Sequence, residues 1–208
     1  MSFVHRFEPA SAPAAPPLLL LHGTGGDEND LIELGKIVAP GAALLSPRGN
    51  VLEHGMPRFF RRLAEGVFDE DDVRRRAHEL ADFVEEARAR YRLAAPIALG
   101  YSNGANIAAA VMLLRPETLA GGMLFRAMVP LKLAPRPDLA KRPVLVVSGA
   151  RDPIASVAEG SRLAAMLSDA GAAVDRKIVP GGHELSQADL GLAREWLAPT
   201  ARTVDLTR

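Results

Sequence analysis

The chain has 208 residues, and its 25 Lys and Arg balance its 25 Asp and Glu. That length fits one domain burying roughly 70% of its unfolded surface, and the even charge excludes the basic footprint of nucleic-acid or anionic-membrane binding. With no Cys, disulfides, thiolate nucleophiles and Cys-based zinc sites are excluded together.

Residues 1–17 hold a short edge strand, Phe3 to Phe7, and a Pro/Ala connector, with no apolar leader. Leu18 to Leu21 is a continuous apolar run, as in a strand buried on both faces of a parallel sheet. It is too short to cross a bilayer, so a cytoplasmic chain without membrane insertion is expected. The run ends in His22-Gly23-Thr24-Gly25-Gly26-Asp27, a glycine-rich loop that opens into a helix from about Glu28 to Val38. A strand over Ala42 to Ser46 follows, then an irregular stretch from Pro47 to Asp69.

From Asp71 to Tyr91 the spacing predicts a helix, with Val73, Ala77, Leu80, Val84, Ala87 and Tyr91 on one face. Acidic residues begin it and Arg88, Arg90 and Arg92 end it, matching the helix dipole. Arg58 to Arg62 and Arg74 to Arg76 have acidic neighbours and read as solvated faces.

Ile97 to Ile107 reads strand, sharp turn, helix around Gly100-Tyr101-Ser102-Asn103-Gly104, the context of a nucleophile elbow. The helix continues to about Leu114. Strands over Gly121 to Val129, Val144 to Ser148 and Asp175 to Val179 alternate with helices over Ser156 to Ala170 and Leu185 to Leu197. The tail from Ala198 to Arg208 has no strong signal. This alternation predicts a single α/β domain over residues 1–208: a doubly wound, mostly parallel sheet flanked by helices.

Acyl transfer by a serine needs a base for its proton, a carboxylate to orient the base, and donors for the oxyanion. The chain offers Ser102, then Asp152 after the strand Val144–Ser148, then His183 after the strand Asp175–Val179. This is the chain order of the α/β-hydrolase fold, and all three lie at strand ends where such sheets place their sites. Asp175 and Glu184 are the substitutes for Asp152. The backbone N–H groups of Thr24 and Asn103 are the oxyanion-hole candidates. His22 suits a loop-orienting role, His54 a place at the pocket edge, and His5 and His78 the surface. No metal or nucleotide cofactor is expected: His183-Glu184 lacks the second His of a zincin helix, and the glycine loop lacks a P-loop ending.

The segments Leu-His-Gly-Thr-Gly-Gly-Asp-Glu, Ser-Pro-Arg-Gly (46–49), Gly-Tyr-Ser-Asn-Gly-Ala-Asn, Gly-Ala-Arg-Asp-Pro and Gly-Gly-His-Glu-Leu resemble the phospholipase/carboxylesterase family of α/β-hydrolases. The resemblance runs from Leu18 to Trp196. Gly-Met-Pro-Arg-Phe-Phe-Arg-Arg-Leu and Leu-Phe-Arg-Ala-Met-Val-Pro (124–130) are similar to its bacterial branch of hydroquinone-specific and dienelactone-hydrolase-like esterases. Two departures point away from neighbouring activities. Acyl-protein thioesterases usually carry a Trp-Phe-Asp type segment where this chain has Arg-Phe-Phe, and Gln where it has Asn103. Dienelactone hydrolases use a Cys nucleophile.

The resemblance implies a serine carboxylesterase acting on short- to medium-chain esters, as a monomer or homodimer. Acyl thioesterase or lysophospholipase chemistry is the alternative on the same triad, as are C–C bond hydrolysis and peptidase activity. A non-catalytic binding protein is the alternative of another class. About a dozen residues, Leu131 to Arg142, stand where lipases of this fold insert a lid, so an open site taking soluble small-molecule esters is expected. Met56, Phe59, Phe60, Leu63, Met128 and Ile154 are the candidate pocket lining, with core packing the alternative for Phe59, Phe60 and Leu63. Arg48, Arg58 and Arg126 either contact a polar substrate group or pin loops to the sheet. A charge in the apolar strand around Arg126 needs a partner.

Overall fold

The computed structural model describes residues 3–12, 15–132, 137–139 and 141–205, with side chains to residue 198. The first half contains β1 (His5–Glu8), β2 (Leu18–Leu21), α1 (Ile32–Val38), β3 (Leu44–Pro47), four short strands and α2 (Glu70–Tyr91). The short strands are β4 (Val51–Glu53), β5 (Met56–Arg58), β6 (Arg62–Ala64) and β7 (Val67–Phe68). The second half contains β8 (Ile97–Tyr101), α3 (Asn103–Leu114), β9 (Gly121–Phe125), β10 (Pro143–Gly149), α4 (Val157–Asp169), β11 (Ala173–Val179) and α5 (Gln187–Asp205).

The four leucines of β2 explain the layering. Side chains alternate along a strand. Leu19 and Leu21 therefore enter one core with residues of α2 and α3, while Leu18 and Leu20 enter another with residues of α1 and α5. All four are fully buried. The sheet has seven strands in the order β1-β3-β2-β8-β9-β10-β11, parallel throughout except for the antiparallel edge pair β1–β3. Its parallel strands bring the ends of β2, β8, β10 and β11 to one edge.

Helix α2 follows its sequence pattern. The Asp69 side chain caps it by accepting the Asp72 N–H (3.2 Å), and Val73, Ala77, Leu80, Val84 and Ala87 are buried. Helix α4 is capped in the same way by Ser156.

Most boundaries shift by one or two residues, and four regions depart further from expectation. Helix α1 begins at Ile32 because the preceding residues form turns, with the Asp27 carboxylate accepting the Asn29 N–H (2.7 Å). Strand β9 stops at Phe125, since Arg126 has φ of +56° and leaves the extended region. The irregular stretch contains two antiparallel hairpins, β4–β5 and β6–β7. Helix α5 extends through the expected tail to Asp205. Residues 206–208 of that tail, and residues 133–136 and 140 of the expected lidless connection, lie outside the described residues.

Leu80 packs from α2 into the larger core at 0% exposure. Leu80→Ala should lower unfolding free energy by about 2–5 kcal/mol, read as a drop in the denaturation midpoint at unchanged m-value.

Candidate active site

The turn between β8 and α3 is dictated by contact distances. A Cβ on Gly104 would lie 2.0 Å from Leu21 O, and one on Gly100 would lie 2.7 Å from Ala105 Cα. With both positions bare, α3 begins directly beside the ends of β2 and β8. Ser102 between them has φ of +52° and ψ of −115°, a sparsely populated conformation for a residue with a side chain. It is held on both sides: its N–H donates to Phe125 O (2.9 Å), and its carbonyl accepts the Asn106 N–H (3.0 Å).

His183, in the loop after β11, places Nε2 2.9 Å from Ser102 Oγ and Nδ1 2.8 Å from Asp152 Oδ2. With the proton on Nδ1, the ring donates to Asp152 and accepts from the Ser102 hydroxyl. Asp152, after β10, also accepts the Ile154 and Ala155 N–H groups on Oδ1 (2.8 and 2.9 Å), and its side chain is fully buried. Neither Asp175 nor Glu184 takes this place: Asp175 pairs with Lys177 at the surface, and the His183 Nδ1 position is filled by Asp152.

The two oxyanion candidates flank the serine. Asn103 is the first residue of α3, where an N–H has no acceptor within the helix. In the glycine loop, Gly25 N–H donates to Pro57 O and Gly26 N–H to Gly23 O. The Thr24 N–H between them has no backbone acceptor among the described residues. His22 fixes this loop: its Nδ1–H donates to Gly23 O (2.6 Å) and its Nε2 accepts the Gly49 N–H (3.0 Å). Burial pushes the His22 imidazole below its ordinary pKa, against the pull of nearby Asp30 and Asp27.

A pocket of about 230 Å³ opens over Ser102 and His183. Met128 and Ile154 lie in its lining, together with Phe68, Asn106, Arg58 and Arg62. Four expected lining residues lie elsewhere. Phe59 and Phe60 are core residues, Phe59 against His22 and Phe60 edge-on to Phe68. Met56 is 40% exposed beside Gly25, and Leu63 is 69% exposed. Met56 and Leu63 sit on short hairpin strands, where neighbouring side chains alternate between faces, while Phe59 and Phe60 lie in the bend between the hairpins and turn inward; apolarity alone reveals neither. Arg62, Glu65, Gly66 and Phe68 of the β6–β7 hairpin form one wall of the pocket. His54 occupies the β4–β5 turn, away from the pocket lining.

The three arginines separate. Arg48 pairs with Glu28 at the surface (2.5 and 2.7 Å). Arg126 is fully buried and forms a two-pronged ion pair with Asp189 of α5 (2.8 and 2.9 Å). It also donates to Gly182 O and Glu184 O, the carbonyls on either side of His183 (2.9 and 3.0 Å). Asp189 in turn accepts the N–H and hydroxyl of Ser186. Arg58 remains in the pocket wall. Sequence reading had no signal for Phe68 or the hairpin wall. Asn106, four residues after Ser102 on one helix face, was within its reach.

Sheet order, crossover helices and a serine at positive φ between β8 and α3 define an α/β-hydrolase. The phospholipase/carboxylesterase family model matches residues 5–201, and the chain belongs to that family. It is 48% identical to MhqD of Bacillus subtilis over 86% of this chain and 90% of that one. Among solved structures, a Bacillus cereus carboxylesterase superposes with a TM-score of 0.92 at 44% identity, covering 96% and 95% of the two chains. A carboxylesterase from Mesorhizobium loti superposes with a TM-score of 0.89 at 35% identity, covering 94% of each. No helix among the described residues is long and apolar enough to cross a membrane.

Two predictions follow from these contacts. The unfolded chain binds a proton at His22 more readily than the fold does. The stability due to neutral His22 is therefore full above about pH 6.5 and is lost as pH falls through the depressed folded value. Unfolding free energy should decline between pH 7 and 5, and less so in His22→Asn. Separately, Asp189→Ala leaves the Arg126 charge buried without its carboxylate and should destabilise the fold by about 3–5 kcal/mol. The double variant Arg126→Met/Asp189→Ala should recover part of that loss in the same denaturant titration.

Proposed function

We propose that the chain is a serine carboxylesterase that hydrolyses short-chain esters through an acyl-enzyme. The observation that supports this most is the continuous hydrogen-bonded chain Ser102–His183–Asp152 opening into a small pocket. In this reading Ser102 Oγ attacks the ester carbonyl as its proton passes to His183 Nε2. Asp152 holds the ring orientation and stabilises the imidazolium. The oxyanion is received by the N–H groups of Thr24 and Asn103, aided by the N-terminus of α3. Collapse expels the alcohol, which takes the proton from His183. Water then attacks the acyl-enzyme with His183 as base, and the acid leaves with Ser102 protonated again.

The pocket volume of about 230 Å³ lies below the usual range for drug-sized ligands, so short acyl groups fit the reading better than medium or long ones. The carboxylesterases of Bacillus cereus and Mesorhizobium loti, similar along nearly the whole chain, support the ester class.

The test is hydrolysis of p-nitrophenyl esters from acetate to palmitate by wild type and Ser102→Ala. Acetate and butyrate should turn over, with a steep fall towards palmitate. Ser102→Ala should lose several orders of magnitude in kcat. An inert wild type, or an undiminished Ser102→Ala, defeats the proposal.

A further inference from the structure

Building on the esterase reading, we infer that the pocket selects esters whose acyl or alcohol part carries a carboxylate, and that Arg58 recognises it. The case begins with how Arg58 spends its donors. It is 3% exposed. Its Nε–H donates to Phe60 O (3.2 Å), and its Nη1 donates to Thr24 Oγ1 (2.7 Å) and Glu53 (3.2 Å). Its Nη2, with two hydrogens, has no acceptor among the described residues, although Arg58 lines the pocket.

The charge on Arg58 is only half matched. Glu53 divides its carboxylate between two pocket arginines, one oxygen to Arg58 and the other to Arg62 (2.9 Å). The remaining acids nearby are spoken for: Asp152 by His183 and two backbone amides, Asp189 by Arg126 and Ser186. Glu65, also in the lining, is exposed at the β6–β7 turn, where water screens it. Burial pushes the Arg58 guanidinium down from its ordinary value while Glu53 opposes the shift. It nonetheless stays charged. A desolvated cation short of one anion is complementary to an incoming carboxylate.

The two asparagines of α3 point the same way. Asn103 Oδ1 accepts the Phe59 N–H (2.7 Å), and Asn106 Oδ1 accepts the Met128 N–H (2.8 Å). Each side chain has therefore used its acceptor on the backbone and keeps its NH₂ group. Asn103 Nδ2 is buried without a partner among the described residues, and both residues line the pocket. Such unmatched donors favour a ligand rich in acceptors. Phe68, Met128 and Ile154 supply apolar surface for a short methylene spacer. Arg126 does not compete, because its Nε, Nη1 and Nη2 are all engaged with Asp189 and two carbonyls.

The test compares isosteric ester pairs by pH-stat, each enzymatic rate divided by the hydroxide rate of the same ester. Monoethyl succinate is set against ethyl 4-methylpentanoate for a carboxylate on the acyl side. Acetoxyacetate is set against isobutyl acetate for one on the alcohol side. In at least one pair, wild-type kcat/KM should favour the anionic ester by about tenfold or more, less at high salt. Because Arg58 also holds Thr24, Arg58→Gln should slow every ester, so recognition is read from the ratio within a pair. That ratio should fall to one or below in Arg58→Gln and recover in part in Arg58→Lys. A wild-type ratio of one or less in both pairs, or a ratio unchanged in Arg58→Gln, overturns the inference and leaves the esterase reading standing. Cleavage of p-nitrophenyl acetate without turnover of either anionic ester overturns it as well. Failure on p-nitrophenyl acetate itself defeats the reading on which it rests.

Discussion

The close approach of α3 to the end of β2 governs the rest of the site. Gly104 lies so near the Leu21 carbonyl that no side chain fits between them. That contact sets where the helix starts, and the start of the helix sets the backbone angles of Ser102 and the free N–H of Asn103. Placing a hydroxyl above the sheet edge requires an unfavourable conformation at one residue. The parallel strands on either side, buried on both faces, supply the rigidity that holds it there.

The remaining groups reach that serine by different means. Asp152 is oriented within its own loop, by amides two and three residues further on. His183 is held from outside, through Arg126 and Asp189, which grip the carbonyls around it. Thr24 is oriented from two sides, by His22 through the loop backbone and by Arg58 through the hydroxyl. Three kinds of anchoring, local, ionic and cross-hairpin, converge on one sheet edge.

This division explains what was legible in the sequence. Apolar runs, capping residues and glycine-flanked loops are local signals, so the sheet strands, α2 and the loops bearing Ser102, Asp152 and His183 could be read directly. The ending of β9 could not: Arg126 leaves the extended region there, and the carboxylate that pairs with it lies 63 residues away. A charge in an apolar stretch announces that it has a partner but not which one. The pocket wall was hidden for another reason. Over Met56 to Phe68 the side-chain directions are set by strands only two or three residues long and the bends between them. Which residues turn to the core and which to the pocket follows from that irregular geometry and not from their apolarity. Phe60 and Phe68 show this: they touch each other edge-on, yet only Phe68 lines the pocket.

The two hairpins belong to sheets of their own, separate from the seven-stranded sheet. Their turns can lengthen, shorten or change composition without breaking a ladder bond in the strands that position Ser102. Selection acting on what enters the pocket can therefore proceed almost independently of selection acting on the chemistry. Strand β5 is the exception: its Pro57 carbonyl accepts the Gly25 N–H, and its Arg58 also holds Thr24. Divergence within this architecture should accordingly be fastest at the hairpin tips and slow at Arg58, a hairpin side chain that touches both compartments.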